Sequence, residues 1–446
     1  MFVSIIVSFI FCFLLLILSV LNGLFVGYPL FIVLIIFGFL AVSKGYSVNN
    51  VIKMAYKGGK KSFIVLEIFI LIGAITSAWM ASGTVPAIVY YGTKFLNPNI
   101  FILSAFLISS LVSYLIGTSF GTIGTVGVAL MVMARGGGVN ASITAGAIIS
   151  GAYFGDRCSP MSSSANLVAY ITETELYQNV KNMLKTGILP FILSSILYLV
   201  FSLRFPLNAK VNSISLEIVK VFNINIITII PALIILVFSF FKINVKKLMC
   251  FSIFAAALIS ITLQHASIMN VIKYLIFGYT LDNSSSLNTI IKGGGILSMF
   301  KISAVVFISS AFTGIFEETG MLSFIEKWTM RSNSKPKLFL TTIAISIATS
   351  AFGCSQALAV ILTHNLMKNA YLKNKEDNKT LAVDIENTAI VIAPLIPWNI
   401  ALFVPIVTLG VGYMSIVFCF YLYLIPIVNL IIKKVNNRGP FYETYI

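Results

Sequence analysis

The sequence has little charge and very few acidic residues. Only 10% of its 446 residues are charged, and 14 Asp and Glu stand against 30 Lys and Arg, for a formal net charge of +16. The two histidines, His265 and His364, lie in unrelated contexts, with no HExxH motif. The shortage of histidine disfavours a histidine-based metal centre and a nucleophile–base pair for hydrolysis. We therefore expect neither an enzyme nor a protein with a resident cofactor.

The cysteines give no sign of disulfide bonds or of a metal site. The five cysteines are scattered without CxxC spacing, which disfavours disulfides and thiolate metal sites: Cys12, Cys158, Cys250, Cys354 and Cys419. The basic excess contains no patch interleaved with aromatic residues, so we expect no nucleic-acid partner.

Apolar residues, by contrast, are abundant. They make up 58% of the chain, and the mean hydropathy is +0.99, more apolar surface than a soluble protein of this length can bury. Runs of about 20 apolar residues recur from Phe2–Val20 to Met414–Ile432, as bilayer-spanning helices require. We predict an all-α polytopic membrane protein with about 11–13 membrane segments, whose first helix is retained rather than cleaved.

Lysine placement predicts the orientation. The loop Ser43–Lys61 contains five lysines and no acidic residue, and the C-terminal tail contains Lys433, Lys434 and Arg438. Positive loops face the cytoplasm. Since two apolar segments precede the first loop, we expect a multi-pass protein of the cell membrane with both termini cytoplasmic. The lipid bilayer is its expected partner, and a homodimer is left open.

Three pairs of segments suggest an internal repeat. AITSAWMASGTVPAI (74–88) matches AFTGIFEETGMLSFI (311–325), TSFGT (118–122) matches SAFGC (350–354), and SPMSSSAN (159–166) matches APLIPWN (393–399). The loop after the first copy has one lysine, and its counterpart has four basic residues, which indicates opposite orientations. Inverted repeats with broken or re-entrant helices are typical of secondary transporters. The expected divisions are 1–62 (N-terminal helices and basic loop), 63–204 (first repeat), 205–300 (linker helices) and 301–446 (second repeat and C-terminal helix).

One polar stretch, GDRCSPMSSSANLVA (155–169), interrupts the apolar pattern. Pro160 forbids a regular helix there, and Asp156 with the nearby hydroxyl and amide groups could hold Na+ or the polar groups of a small solute. A solvated surface loop and a simple Asp156–Arg157 ion pair are the alternatives. Among the other acids, ionisable groups inside a membrane segment are costly and usually functional. A position at a helix end in water suits Glu67 and Glu318. It suits Asp156 and Glu386 less well, because they lie beside polar motifs that break helices.

Four segments carry a family resemblance. WMASGTVPAIVYYG (79–92), GAYFGDRCSPMSSSANL (151–167), GIFEETGML (314–322) and ENTAIVIAPLIPWN (386–399) resemble the NhaC family of sodium/proton antiporters, within the ion transporter superfamily. The similarity runs from about residue 60 to the C-terminus. It implies inverted repeats with broken helices and exchange of Na+ for H+ by alternating access. Some members of the family exchange organic acids or carry amino acids.

The expected ion- or substrate-binding residues follow from these motifs. They are Asp156, Ser159, Ser162, Ser163, Asn166, Thr122, Glu317, Gln356, Glu386, Thr388, Trp398 and Asn399, with a sodium site expected at Asp156, Ser159, Asn166 and Asn399. Relatives commonly have an acid where this chain has Ser163 or Ser355, which leaves Asp156 and Glu386 as the main proton-linked carboxyls. The alternative function is an ion-coupled transporter or exchanger of a small organic solute, an amino acid or a carboxylate. An intramembrane enzyme or a passive channel is disfavoured.

Overall fold

The structure is a computed structural model of the chain, and it describes residues 2–207, 210–239, 241, 243–281, 287, 291–321 and 329–436. Within these ranges the regular structure is helical, apart from one isolated β-bridge between Tyr279 and Gly293. The prediction of an all-α chain is confirmed.

The apolar helices of the described part are of three kinds: long single helices, bent pairs and shorter helices. Six are long and apolar enough to cross a bilayer. Two bent pairs pass the same test: Leu66–Ala81 with Thr84–Phe95, at 66°, and Asn378–Leu395 with Ile400–Leu409, at 49°. Four further apolar helices have only 10–17 residues. The described part therefore reaches the predicted range of segments only when these shorter helices are counted.

The chain begins with five helices, of which the last two form a bent pair. Their bounds are α1 Phe2–Leu21, α2 Gly27–Ser43, α3 Val48–Lys61, α4 Phe63–Ala81 and α5 Thr84–Phe95. The bend between α4 and α5 lies at Gly83, whose φ of +77° favours glycine. A Cβ there would also lie 2.8 Å from Nε2 of Gln264.

Six helices then lead through the first polar motif: α6 Phe101–Ile116, α7 Ser119–Thr122, α8 Val128–Gly136, α9 Ala141–Cys158, α10 Ser163–Ile171 and α11 Leu176–Arg204. A π-helical turn, Ile123–Gly127, joins α7 to α8. π-bulges are frequent near functional sites.

The remaining α-helices of the described residues are α12 Lys210–Val221, α13 Ile230–Ser239, α14 Val245–Thr262, α15 Ile268–Phe277, α16 Phe300–Thr319, α17 Lys335–Gly353, α18 Gln356–Lys373, α19 Asn378–Glu386, α20 Ala389–Ile392, α21 Ile400–Leu409 and α22 Phe420–Asn436. A 3-10 turn, Ala393–Leu395, follows α20 directly.

Helices α6 and α9 pack backbone against backbone through glycine. A Cβ on Gly151 would lie 2.5 Å from the carbonyl oxygen of Phe106, and one on Gly155 would lie 2.1 Å from the carbonyl carbon of Ser113. Small residues permit this close approach in membrane helices. The packing fixes the C-terminal end of α9, where Asp156 lies, against α6.

The chain breaks with the same local backbone before α7 and before α18. Gly117 and Cys354 both adopt left-handed conformations, with φ of +74° and +50°. Thr118 and Ser355 follow in nearly identical extended conformations. The sequence match of TSFGT with SAFGC was therefore in the wrong register, because the break conformation pairs Thr118 with Ser355.

A second pair of breaks precedes α10 and α21. SPMS (159–162) and IPWN (396–399) each run from an extended residue through proline to a helix-capping residue. Ser162 caps α10, and Asn399 caps α21. In both turns the backbone N–H of the cap donates to the carbonyl three residues earlier. Proline stops the preceding helix, and a polar cap starts the next one.

Candidate ion-binding site

The carboxylate of Asp156, in the last turn of α9, is the centre of the site. The residue is only 4% exposed. Its Oδ2 accepts hydrogen bonds from Ser119 Oγ at 3.4 Å, Ser164 Oγ at 3.5 Å and Gln356 Nε2 at 3.2 Å. Its Oδ1 accepts from Ser162 Oγ at 3.3 Å. Burying a carboxylate is costly unless it is well hydrogen-bonded, and four side chains supply these bonds.

Three helices begin beside this carboxylate. Ser119 and Gln356 are the first residues of α7 and α18, and Ser164 is the second residue of α10. A helix N-terminus has a partial positive charge, which stabilises a nearby anion. The breaks in the chain thus place both donors and favourable dipoles around Asp156.

The capping residue Ser162 ties α10 to the end of α9. Its Oγ donates to the carbonyl oxygen of Asp156 at 2.5 Å and accepts from the backbone N–H groups of Ser164 and Ala165. This hydroxyl therefore fixes the position of the carboxylate relative to the start of α10.

Gln356 brings a distant part of the chain to the same point. Besides donating to Asp156, 200 residues away in sequence, its Nε2 donates to the carbonyl oxygen of Ile390 at 3.2 Å. Its Oε1 accepts from Ser164 Oγ at 3.1 Å. The site is consequently shared by the two segments that the repeat hypothesis assigns to different halves.

The chemistry of this set is that of oxygen ligands. A carboxylate, three hydroxyls, the amide oxygen of Gln356 and the carbonyl of Ile390 lie together, and hard cations prefer oxygen ligands. A hydroxyl rotates freely between donating its proton and offering a lone pair. The same serines can therefore donate to a bare carboxylate or coordinate a cation beside it.

The other residues expected in the first motif have different contacts. Ser159 Oγ accepts from the backbone N–H of Met161 at 3.1 Å. Asn166 Nδ2 donates to the carbonyl oxygens of Ser162 and Pro160. Thr122 Oγ1 donates to the carbonyl of Thr118, and Ser163 is exposed.

Residues expected in the second motif fasten the break before α21. Trp398 Nε1 donates to the carbonyl of Ala351 at 2.7 Å, and Asn399 Nδ2 donates to that of Ser350 at 2.7 Å. Thr388 Oγ1 donates to the carbonyl of Asp384 and accepts from Ser346. The side chain of Glu317 lies outside the described residues.

The four residues expected to form a sodium site are all described, and they are not joined into one hydrogen-bonded group. The polar atoms of Ser159, Asn166 and Asn399 bond to backbone groups at the breaks. Freed backbone groups at a helix break need partners, and these side chains supply them. Asp156 is instead grouped with Ser162 and Gln356, both predicted, with Ser164, one of the hydroxyls of the polar stretch 155–169, and with Ser119, which the sequence analysis did not single out.

The contacts of Arg157 also differ from the alternative interpretation as an ion pair with Asp156. It is completely buried and donates to the hydroxyls of Tyr421 and Thr186, to the carbonyl of Met183 and to Oδ1 of Asn387. Its guanidinium group therefore joins α9 to α11, α22 and the end of α19.

Comparisons with known proteins show which family the chain resembles in sequence. A family described as "Na+/H+ antiporter family" matches residues 151–433, which include Asp156, Gln356 and Glu386. A Haemophilus influenzae protein named "Uncharacterized Na(+)/H(+) antiporter" is 31% identical over 87% of this chain and 86% of its own length. Two Bacillus subtilis proteins are also similar. The malate-2H+/Na+-lactate antiporter is 28% identical over 81% of this chain and 78% of its own length, and the Na+/H+ antiporter NhaC is 27% identical over 92% of both.

Proposed function

From the premise that the chain belongs to the Na+/H+ antiporter family, we propose that it exchanges Na+ for H+ by alternating access, with Asp156 as the group for which the two ions compete. The observation that carries this proposal is the buried Asp156 carboxylate, surrounded by oxygen-bearing side chains from both parts of the chain.

Competition at one carboxylate is sufficient for exchange. A proton neutralises Asp156 and removes the charge that attracts Na+. Bound Na+ in turn makes the addition of a proton unfavourable, because two like charges repel strongly where the dielectric constant is low. Asp156 is therefore loaded with either ion but not with both.

The membrane arrangement that we propose has two oppositely oriented halves, with the site near the bilayer midplane. Both termini face the cytoplasm, as the lysine-rich segments 43–61 and 433–438 favour. The energy comes from an ion gradient, so the proposal includes no covalent reaction and no resident cofactor.

Transport in proteoliposomes tests the assignment of Asp156. An inward Na+ gradient should move protons out of vesicles that contain the unaltered protein and make their interior more alkaline. Asp156→Asn should reduce the rate of this pH change to that of vesicles without protein, because an amide neither binds a proton nor attracts Na+. Glu67→Gln is the matched control, since Glu67 is a 64% exposed side chain paired with Lys246 at the surface. Normal exchange by Asp156→Asn would remove Asp156 from the mechanism.

A cationic cavity favours exchange of an organic carboxylate as the second candidate function. The cavity has a volume of about 390 Å³, and Arg135, Lys292 and Thr76 are among its lining residues. Thr76 also donates to the carbonyl of Gly124 in the π-helical turn beyond α7. The name of the similar malate-2H+/Na+-lactate antiporter is consistent with such a solute.

A solute panel separates the two functions. Proteoliposomes would be tested with Na+, Li+ and K+, alone and with carboxylic and amino acids. Sodium-driven pH change without any organic solute supports Na+/H+ exchange. Strict dependence on a carboxylate supports the second candidate.

A further inference from the structure

A second cavity lies between α11, the start and end of α19, and α22. Its volume is about 740 Å³, within the range of about 300–1,000 Å³ that is common for small-ligand sites. None of the side chains that contact the Asp156 carboxylate lines it, so it is separate from the proposed ion-binding site. Its charged lining residues are Lys185, Asp377, Lys379, Asp384 and Lys433.

The two acids of this cavity already have partners within the protein. Asp384 pairs with Lys433 at 2.8 Å and accepts a hydrogen bond from the hydroxyl of Tyr371 at 2.7 Å. Asp377 caps the start of α19, where its Oδ1 accepts from the backbone N–H of Thr380 at 2.8 Å and from its hydroxyl at 2.6 Å. Both carboxylates are thus held by internal contacts.

The remaining charged groups and one amide of the cavity have no such partners. Lys185 and Lys379 are exposed, and neither forms an ion pair within 4 Å with a described residue. Asn387 also lines the cavity, and its Nδ2 has no hydrogen-bond partner among the described residues. The buried acid Glu386, with 0% exposure, is not a lining residue. The cavity therefore offers unpaired cations and a donor, which suit an anion with several acceptor oxygens, such as a phosphate group.

The cavity lies at the level where two of its helices become apolar. Helix α11 has no charged residue from Gly187 to Leu203, and α22 has none from Phe420 to Ile432. Asn429 on α22 donates to the carbonyl of Thr186 on α11 at 3.2 Å, so the two uncharged stretches end side by side. Long uncharged stretches cross the hydrocarbon core of a bilayer, which places the cavity at its polar boundary.

Exposed apolar side chains continue from the cavity along both helices. Ile188 and Ile432 line the cavity and are exposed by 63% and 36%. Residues four apart lie on the same face of a helix, and the exposed rows continue with Ile192 and Ile196 on α11 and with Ile427 and Ile431 on α22. A soluble anion would use only the polar wall of the cavity, whereas a phospholipid would contact both the polar wall and these rows.

We propose that this cavity binds the phosphate group of an anionic phospholipid, with Lys185 and Lys379 as its cationic contacts and the acyl chains along the exposed isoleucines of α11 and α22. Basic pockets between membrane helices on the cytoplasmic side suit such headgroups, because anionic lipids give that leaflet its negative surface charge. The proposal is independent of which ion or solute the protein exchanges.

Native mass spectrometry of the delipidated protein in detergent tests this site. The probes are phosphatidylglycerol and phosphatidylcholine with identical oleoyl chains, which differ in headgroup charge. We expect the unaltered protein to bind the first phosphatidylglycerol more tightly than phosphatidylcholine. The double variant Lys185→Gln with Lys379→Gln should bind phosphatidylglycerol roughly 20-fold more weakly, because two attractions to the headgroup are lost, and should bind phosphatidylcholine as before.

A second double variant, Lys181→Gln with Lys375→Gln, is the matched control. It removes the same charge from two exposed lysines that do not line the cavity, and it should keep the preference for phosphatidylglycerol. Equal losses in the two double variants would show a general attraction to the surface charge and overturn the proposal. Equal affinity of the unaltered protein for the two lipids would also overturn it.

Inorganic phosphate distinguishes a lipid from a free anion as the source of the phosphate group. At the same concentration as the lipid, it should leave phosphatidylglycerol bound, because it makes no contact with the apolar rows. Complete displacement of the lipid by inorganic phosphate would assign the cavity to a soluble anion, and the lipid proposal would be wrong.

Discussion

At the scale of single residues, neighbours in one motif have different roles because a helix turns each side chain in a different direction. Ser163 and Ser164 are the first two residues of α10. Ser163 is exposed, whereas Ser164 contacts both Asp156 and Gln356. Sequence resemblance drew attention to Ser163 because family members have an acid there, but only the structure identifies Ser164 as a contact of the carboxylate.

Replacing these two serines in turn gives a matched comparison. Ser164→Ala should raise the Na+ concentration needed for half-maximal exchange by roughly fivefold, because it removes hydrogen bonds worth about 1 kcal/mol. Ser163→Ala should change it by less than about twofold, as for a surface substitution. Sodium-dependent pH change in proteoliposomes measures both, and equal effects of the two substitutions would contradict the assignment of Ser164.

At the scale of helices, the position of Asp156 depends on how closely α9 approaches α6. Gly155 precedes Asp156 directly, and a Cβ on it would overlap the backbone of Ser113 and Tyr114 at 2.1 and 2.2 Å. Backbone atoms in a packed helix cannot move aside as a flexible side chain can. The glycine is therefore needed both for helix packing and for the location of the carboxylate.

Gly155→Ala should lower the thermal stability of the detergent-solubilised protein, with a loss of about 3 kcal/mol from overpacking, and should reduce exchange as α9 shifts. Gly412→Ala is the control, because a Cβ there meets nothing within 4 Å. Fluorescence-detected gel filtration after heating measures the stability. A melting temperature for Gly155→Ala equal to that of Gly412→Ala would refute the close packing.

At the scale of the whole molecule, the distribution of basic residues predicts the orientation of the chain in the membrane. Lysines are concentrated in segments such as 43–61 and 433–438. Most of the first segment, which the sequence suggested to be a loop, is helix α3, which contains four of its five lysines and is followed by the bent pair α4–α5. The orientation of the two ends relative to the membrane is thus a prediction from charge alone.

Reporter fusions test that orientation. Green fluorescent protein fused after Ile446 should fluoresce, since it folds in the cytoplasm, and alkaline phosphatase fused there should be inactive. Alkaline phosphatase inserted in the loop before Pro98 should be active, because this loop is predicted to be external. The reverse pattern at both sites would show that the protein is inserted with the opposite orientation.

Composition was sufficient to predict the helical membrane class, and Pro160 was sufficient to locate one helix break. The site was only partly predictable, because its donors come from helix starts that meet across 200 residues. Ser119 lies in TSFGT (118–122), which the sequence marked as part of a repeat, but nothing in that pattern indicated that its hydroxyl contacts Asp156. The sequence also predicts cation ligands at Ser159 and Asn399. In the structure both side chains bond to backbone groups at the breaks, because a polar side chain near a break is as well suited to satisfying the freed backbone as to binding an ion.

The hydrogen bonds on Oδ2 of Asp156 have a consequence for leakage. They connect the start of α7 to the start of α18 through one negatively charged atom, and hydrogen bonds to a charged acceptor are about twice as strong as those to a neutral one. In the exchange proposed above, we expect these bonds to hold an unloaded carrier in one conformation until a bound ion neutralises the carboxylate. Reorientation of the empty site, which would let one ion cross without the other and dissipate its gradient, should thereby be suppressed.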